Sequence, residues 1–319
     1  MARRKNALTQ EDLLPQHKPV YVADDLDSAV DLFLRDGRIR NISEHTIGFY
    51  RQELRKLKRM LEEQRVKTDP AEITERTMKE NVILYMMDKG LKETSINCVL
   101  RASRAMFNFL VREGYLRVSP MREMNLIRQR KKAVPTFTTA QVHILLAQPD
   151  EKTFVGVRDK TIMMLMLETG VRLRELADIK TGDIEWRNGV ILIEGKNGKD
   201  RFVPFQSTMR QQLGKYLSLR GNLGHDTLFV TIDNTPITRR QVQEQIQFYG
   251  ARGGIQGVRC SPHTFRHTFA KMSVQNGADV FALQAVLGHA TLEQVRTYVN
   301  LFSSEVRDKH RKFSPLEKL

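Results

Sequence analysis

Six residues in the C-terminal half of the chain carry side chains that could do chemistry on an anion: Arg172, Lys196, His263, Arg266, His289 and Tyr298. Arginine presents a planar fork of N–H donors that matches two oxygens of a phosphate. Histidine takes or gives a proton near neutral pH. A tyrosine hydroxyl, with an ordinary pKa of about 10, is a nucleophile once its proton is removed. Arg172 stands directly after the helix stop in Thr169-Gly170-Val171-Arg172-Leu173-Arg174-Glu175-Leu176, and Lys196 on the hairpin tip Lys196-Asn197-Gly198-Lys199. His263 and Arg266 are three apart in Ser261-Pro262-His263-Thr264-Phe265-Arg266-His267, so they share a face if Thr264 begins a helix. His289 closes the tight turn Leu287-Gly288-His289, and Tyr298 falls in the amphipathic stretch behind it. Taken singly, each has an ordinary structural explanation, such as surface arginine or hairpin lysine. Their combination carries the information.

The charge balance points to a polyanionic partner. Lys plus Arg number 52 against 37 Asp plus Glu, a formal net charge of +15 with a pI near 9.9. No apolar run approaches the ~20 residues needed to span a bilayer. The N-terminus, Met1-Ala2-Arg3-Arg4-Lys5-Asn6, has the charge of a signal peptide without its apolar core. Two distant cysteines, Cys98 and Cys260, fit a reducing cytoplasm better than a disulfide framework. Nucleic acid is therefore expected rather than a membrane. Gly195-Lys196 and Gly198-Lys199 lack the spacing of a phosphate-binding loop, and no carboxylate cluster for magnesium is evident. Neither a cofactor nor a metal is expected.

A mainly α chain with a small β-sheet must position these residues. Residues 1–23, polar with Pro15 and Pro19, are expected as a flexible arm. Residues 24–117 read as an all-helical bundle without strand signals. Leu26, Ala29, Val30, Phe33 and Leu34 follow one helical stripe, and Ile47, Tyr50, Leu54, Leu57 and Leu61 form a second behind the N-cap Ser43. Further helices are expected over Met78–Asp88 and from Thr94 to the stop at Gly114. Residues 118–135, bounded by Pro120 and Pro135 around Arg128-Gln129-Arg130-Lys131-Lys132, read as a linker. Residues 136–302 read as a mixed α/β domain. Helical patterns cover Thr139–Leu146, Val157–Thr169, Thr238–Tyr249, Thr264–Asn276 and Val280–Leu287, with a capping box at Thr291 and Gln294 leading to Tyr298. Val190–Ile193 and Phe202-Val203 read as hairpin strands around Asn197-Gly198, a pair that tolerates positive φ. The basic segment 303–319 is expected as a C-terminal tail.

Taken together, the order TGxR…GK…HxxR…LGH…Y resembles the tyrosine recombinase, or phage integrase, family, which includes the Xer recombinases and compact transposon integrases. Gly277-Ala278-Asp279 between the third and fourth motifs adds to the likeness. The resemblance covers the whole second domain, and the helical first domain is similar to the family's core-binding, SAM-like domain. It implies a catalytic set of Arg172, Lys196, His263, Arg266, His289 and Tyr298, with Glu175 in support. It implies that Tyr298 attacks a scissile phosphate of double-stranded DNA to give a 3′-phosphotyrosine and a free 5′-hydroxyl. Arg172 and Arg266 would clamp the phosphate, His263 would take the tyrosine proton, and Lys196 would protonate the leaving oxygen. The phosphotyrosine keeps the bond energy for religation, so neither metal nor ATP is needed.

The resemblance also implies a homotetramer on two DNA sites and accessory DNA-bending or directionality factors; tail 303–319 is either exchanged between subunits, as such tails often are in the family, or a frayed end. The place of action would be the cytoplasm, at the nucleoid, in integration, excision or resolution of a DNA element. Two other readings share the fold: a non-catalytic DNA-binding regulator, which a degraded catalytic set would favour, and a type IB topoisomerase-like enzyme, against which the two-domain layout and Leu287-Gly288-His289 speak.

Overall fold

Short polar side chains start most of the helices. Asp25 accepts the Ser28 N–H at the head of α1 (Leu26–Ile39), and Ser43 accepts the Thr46 N–H at the head of α2 (Glu44–Glu63). The computed structural model describes residues 25–129, 134–195, 198 and 200–288, which fall into two compact units dividing at Lys132–Ala133.

The first unit is helical throughout its described part. Helix α3 runs as Glu75–Thr77, a π-helical stretch Met78–Leu84 and Tyr85–Asp88, so it starts before the expected Met78. Helix α4 spans Glu93–Arg112. Helices α1, α2 and α4 pack on one another around Leu26, Phe33, Ile47, Leu54, Leu57, Leu61, Leu100 and Phe107, so both expected stripes face this core. Tyr50 is only half-buried and packs against Phe33 with tilted rings, their centroids 5.0 Å apart.

Part of the stretch expected as linker lies on this bundle. The Asn97 amide, buried on α4, donates to the Ile127 carbonyl and accepts the Ile127 N–H, both at 2.9 Å. It thus satisfies a backbone pair as a neighbouring strand would. Arg104 donates to the Met124 carbonyl at 2.5 Å, and Met121 and Met124 enter the core. The extra apolar contact comes from two methionines that the basic residues around them mask in sequence.

In the second unit, α6 (Phe154–Thr169) is the central helix. Helices α8 (Ser207–Arg220) and α10 (Pro262–Gln275) pack along it, with α5 (Thr139–Ala147) and α9 (Arg239–Arg252) alongside. The short α7 (Leu173–Asp178) follows, then a three-stranded antiparallel sheet in the order β1 (Ile184–Glu185), β2 (Val190–Ile193), β3 (Arg201–Pro204). Helix α11 (Val280–Leu287) packs on β3 and on α10. The hairpin is present, with its ladder closing at Ile193↔Arg201, so residues 194–200 connect the strands. Gly198 has the positive φ of 68° that the Asn-Gly pair suggests. Helix α10 starts at Pro262 rather than Thr264, because proline with its fixed φ suits a first helical position behind the N-cap Ser261.

Gly170 ends α6 in the left-handed region at φ 62°, where glycine has no steric penalty. A Cβ there would stand 2.4 Å from Phe269 Cδ1 and 2.9 Å from Leu287 Cδ2. Three elements, α6, α10 and α11, therefore close on one glycine. No helix among the described residues is long and apolar enough to cross a membrane.

Candidate active site

Three arginines converge on the C-terminal end of α11. Arg201 Nε donates to the Val286 carbonyl (2.8 Å), Arg266 Nη2 to the Leu287 carbonyl (2.7 Å), and Arg172 Nη2 to the Gly288 carbonyl (3.3 Å). A helix leaves its last carbonyls without intrahelical partners and carries partial negative charge there. Cations that donate hydrogen bonds to them suit both needs. Because the three carbonyls are consecutive, the guanidinium groups stand together at one place.

Each arginine arrives from a different element. Arg172 is the residue before α7, placed there by the left-handed turn at Gly170. Arg266 lies on α10, buried, and its Nη1 donates to the Gly170 carbonyl at 2.5 Å. One guanidinium thus ties the end of α6 to the end of α11. Arg201 opens β3. Arg172 keeps its side chain 40% exposed, open to a ligand, while the Arg201 side chain is 11% exposed.

Glu175 is the carboxylate of this cluster. Its Oε1 accepts from Arg172 Nη1 (2.9 Å) and Arg201 Nη1 (3.1 Å), and its Oε2 accepts from Arg201 Nη2 (2.8 Å) and the Arg172 backbone N–H (2.8 Å). Burial pushes this carboxyl upward. The hydrogen bonds and charge of Arg201, with the hydrogen bonds of Arg172, outweigh that effect, and the group sits below the ordinary glutamate range. Glu175 is therefore ionised at neutral pH, and it fixes the rotamer of Arg172. One carboxylate serves two of three neighbouring arginines, so the cluster suits an incoming anion.

His263 lies in the first turn of α10, exposed, one helical turn before the buried Arg266. The half-buried His267 is held below the usual histidine value by its burial and by the charges of His263 and Arg266. It is uncharged at neutral pH and has no place in the expected chemistry. The structure therefore brings Arg172, Glu175 and Arg266 together and puts His263 on the same helix as Arg266. Lys196, His289 and Tyr298 lie outside the described residues, as do Thr291 and Gln294 of the expected capping box, the arm 1–23 and the tail 303–319.

Sequence reasoning missed Arg201. A signal existed: Arg201 shares the inward face of β3 with buried Val203, while the apolar Phe202 points outward and is 59% exposed. A charge on the buried face of a strand calls for a partner, and here the partner is Glu175.

The chain is similar to known proteins over most of its length. The model described as the phage integrase family matches residues 135–305, and that described as phage integrase, N-terminal SAM-like domain, matches residues 30–114. Tyrosine recombinase XerD of Staphylococcus haemolyticus (strain JCSC1435) is 29% identical over 296 residues, 91% of this chain and 99% of that protein. Tyrosine recombinase XerD of Staphylococcus aureus (strain Mu50) is 27% identical over the same shares. Among solved structures, the XerH site-specific recombinase in a post-cleavage complex with palindromic difH substrate superposes with a TM-score of 0.73 at 20% identity, covering 90% of this chain and 84% of that one. A lambda integrase dimer bound to a COC′ core site gives 0.71 at 19% identity, covering 85% and 97%. The structural likenesses establish the fold, and the first family model spans more than half of the chain. The chain belongs to the phage integrase family, the tyrosine recombinases.

Proposed function

We propose that this recombinase cuts and rejoins double-stranded DNA through a covalent bond between Tyr298 and a 3′ phosphate. The observation that carries the reading is the meeting of Arg172 and Arg266 on consecutive carbonyls at the end of α11, directly before His289 in the chain. Arg172 and Arg266 would hold the scissile phosphate, whose charge grows as the fifth oxygen adds to phosphorus. The Tyr298 oxygen attacks, its proton passes to His263, the bond from phosphorus to the 5′ oxygen breaks, and that oxygen takes a proton from Lys196. His289 adds a hydrogen bond to the phosphate, and Glu175 holds Arg172 in place. Attack by a 5′-hydroxyl on the phosphotyrosine reverses the sequence and rejoins the strand.

Catalysis is assigned to residues 136–302, DNA grip to residues 24–117, and assembly to a homotetramer on two sites, helped by accessory factors. DNA as partner is supported by the structural neighbours that were captured on it. The regulator reading is not favoured: the sequence keeps every position of the expected set, and the contacts of Arg172, Glu175 and Arg266 support the recombinase reading.

The test uses plasmid carrying the DNA that flanks the gene, with EDTA and without ATP. A denaturing gel should show protein bound to the 3′ side of each break, and the matching 5′ ends should accept label from a polynucleotide kinase without prior phosphatase. Attachment to a 5′ end, or cleavage only with a divalent metal, would refute the reading. The acid is tested separately. Lys196→Ala should slow cleavage by about 10²- to 10⁴-fold on ordinary DNA, the usual worth of a positioned proton donor. On DNA with a 5′-thio leaving group, which needs little protonation, the loss should shrink to within about tenfold. Equal slowing on both substrates would remove Lys196 from that role.

A further inference from the structure

Arg201 is outside the catalytic set proposed above, yet its contacts join three parts of it. It begins β3, the strand that leaves the connection carrying Lys196. Its Nη1 and Nη2 meet the two oxygens of Glu175 side by side, at 3.1 and 2.8 Å, and Glu175 in turn holds Arg172. Its Nε holds the Val286 carbonyl at 2.8 Å, in the last turn of α11 before His289. Gly288 passes close over the same guanidinium. A Cβ at Gly288, whose φ is 61°, would stand 3.0 Å from Arg201 Cζ, Nε and Nη1.

We infer that Arg201 is a positioning residue for strand cleavage: it locks the β2–β3 hairpin, Glu175 and the end of α11 in one register, so that Lys196, Arg172 and His289 meet the same phosphate. The inference rests on the recombinase reading. Its chemistry is specific to a guanidinium. Lysine would keep the charge, but a single ammonium cannot meet both carboxylate oxygens and the Val286 carbonyl in one plane. Nε, Nη1 and Nη2 of Arg201 are each engaged by the Val286 carbonyl or Glu175, so its removal should act through the groups it holds, on the chemical step.

Arg201→Lys and Glu175→Gln are compared with the parent chain on a labelled duplex on which the parent forms its adduct. Each variant should cleave about 10²-fold more slowly at saturating DNA, the loss expected when catalytic groups shift by about 1 Å. DNA affinity should stay within about threefold, since ground-state binding is untouched. The double variant should be within about threefold of the slower single one, because both substitutions break one unit. A 5′-thio leaving group should recover part of the Arg201→Lys loss, the part due to a displaced Lys196, which a merely structural defect would not show.

Arg201→Lys cleaving within about threefold of the parent, or losses that multiply in the double variant, would overturn the inference. So would a loss that follows a fall in melting temperature, which assigns Arg201 to the fold alone. A parent chain that binds DNA but forms no adduct fails differently: it removes the recombinase reading and this inference with it.

Discussion

Tyr298→Phe is expected to abolish the covalent protein–DNA adduct, a loss of at least about 10⁴-fold, as for removal of other enzymic nucleophiles. DNA affinity should be nearly unchanged, because the substitution deletes one oxygen and no charge. The size of the effect follows from the chemistry. A phenol with a pKa of about 10 is a poor nucleophile at neutral pH until a base takes its proton and nearby cations favour the phenolate. Arg172, Arg201 and Arg266 supply a local positive excess that Glu175 only partly offsets. A denaturing gel with end-labelled duplex reads the adduct, and a native gel reads binding. An adduct that persists in Tyr298→Phe would place the nucleophile elsewhere. Equal binding by both chains with no adduct from either would turn the assignment toward a regulator.

The parts of the molecule that were legible in its sequence are those governed by local rules. Ser43 and the stripe Ile47, Leu54, Leu57 and Leu61 announce α2, because capping and a 3.6-residue period are local properties. Val280–Leu287 lies between Asp279 as N-cap and Gly288 as a left-handed stop, so its bounds could be read directly. Helix α8 is absent from the helices expected on sequence. Its buried Met209, Leu213 and Tyr216 keep helical spacing but stand among Arg210, Gln211, Gln212 and Lys215, so no continuous apolar stripe marks the helix. The packing of Met121 and Met124 depends on Asn97, far back on α4, and no local pattern contains that pairing.

The site divides along the same line. The order of Arg172, Lys196, His263, Arg266, His289 and Tyr298 is a motif and can be read from one chain. That Arg172, Arg201 and Arg266 cap consecutive carbonyls of α11 depends on three elements meeting in space. Gly170 shows why the motif needs glycine: Phe269 and Leu287 fill the room a side chain would take.

Arg266→Met is the substitution expected to damage both the fold and the chemistry. The guanidinium is buried and bonds the Gly170 and Leu287 carbonyls at 2.5 and 2.7 Å, so it joins the end of α6 to the end of α11. Methionine matches the stem but donates nothing. Stranding two buried carbonyls should destabilise the second unit by about 2–4 kcal/mol, against which stands the relief of no longer burying a charge. That corresponds to a fall of about 10 °C in melting temperature for a unit of this size. Cleavage should fall further, by about 10³-fold or more at a temperature where the variant is folded, because a donor aimed at growing charge is lost. Arg266→Lys separates the two effects. A lysine ammonium can reach one carbonyl and keeps the charge, so it should recover part of the stability. It lacks the planar fork, so cleavage should stay at least about 10²-fold below the parent. A methionine variant that melts like the parent would show that Arg266 does not hold the two helix ends together. One that cleaves within about tenfold of the parent would remove Arg266 from the phosphate clamp. If Arg266→Lys recovered stability and cleavage in equal measure, charge alone would account for this residue and its fork geometry would have no catalytic part.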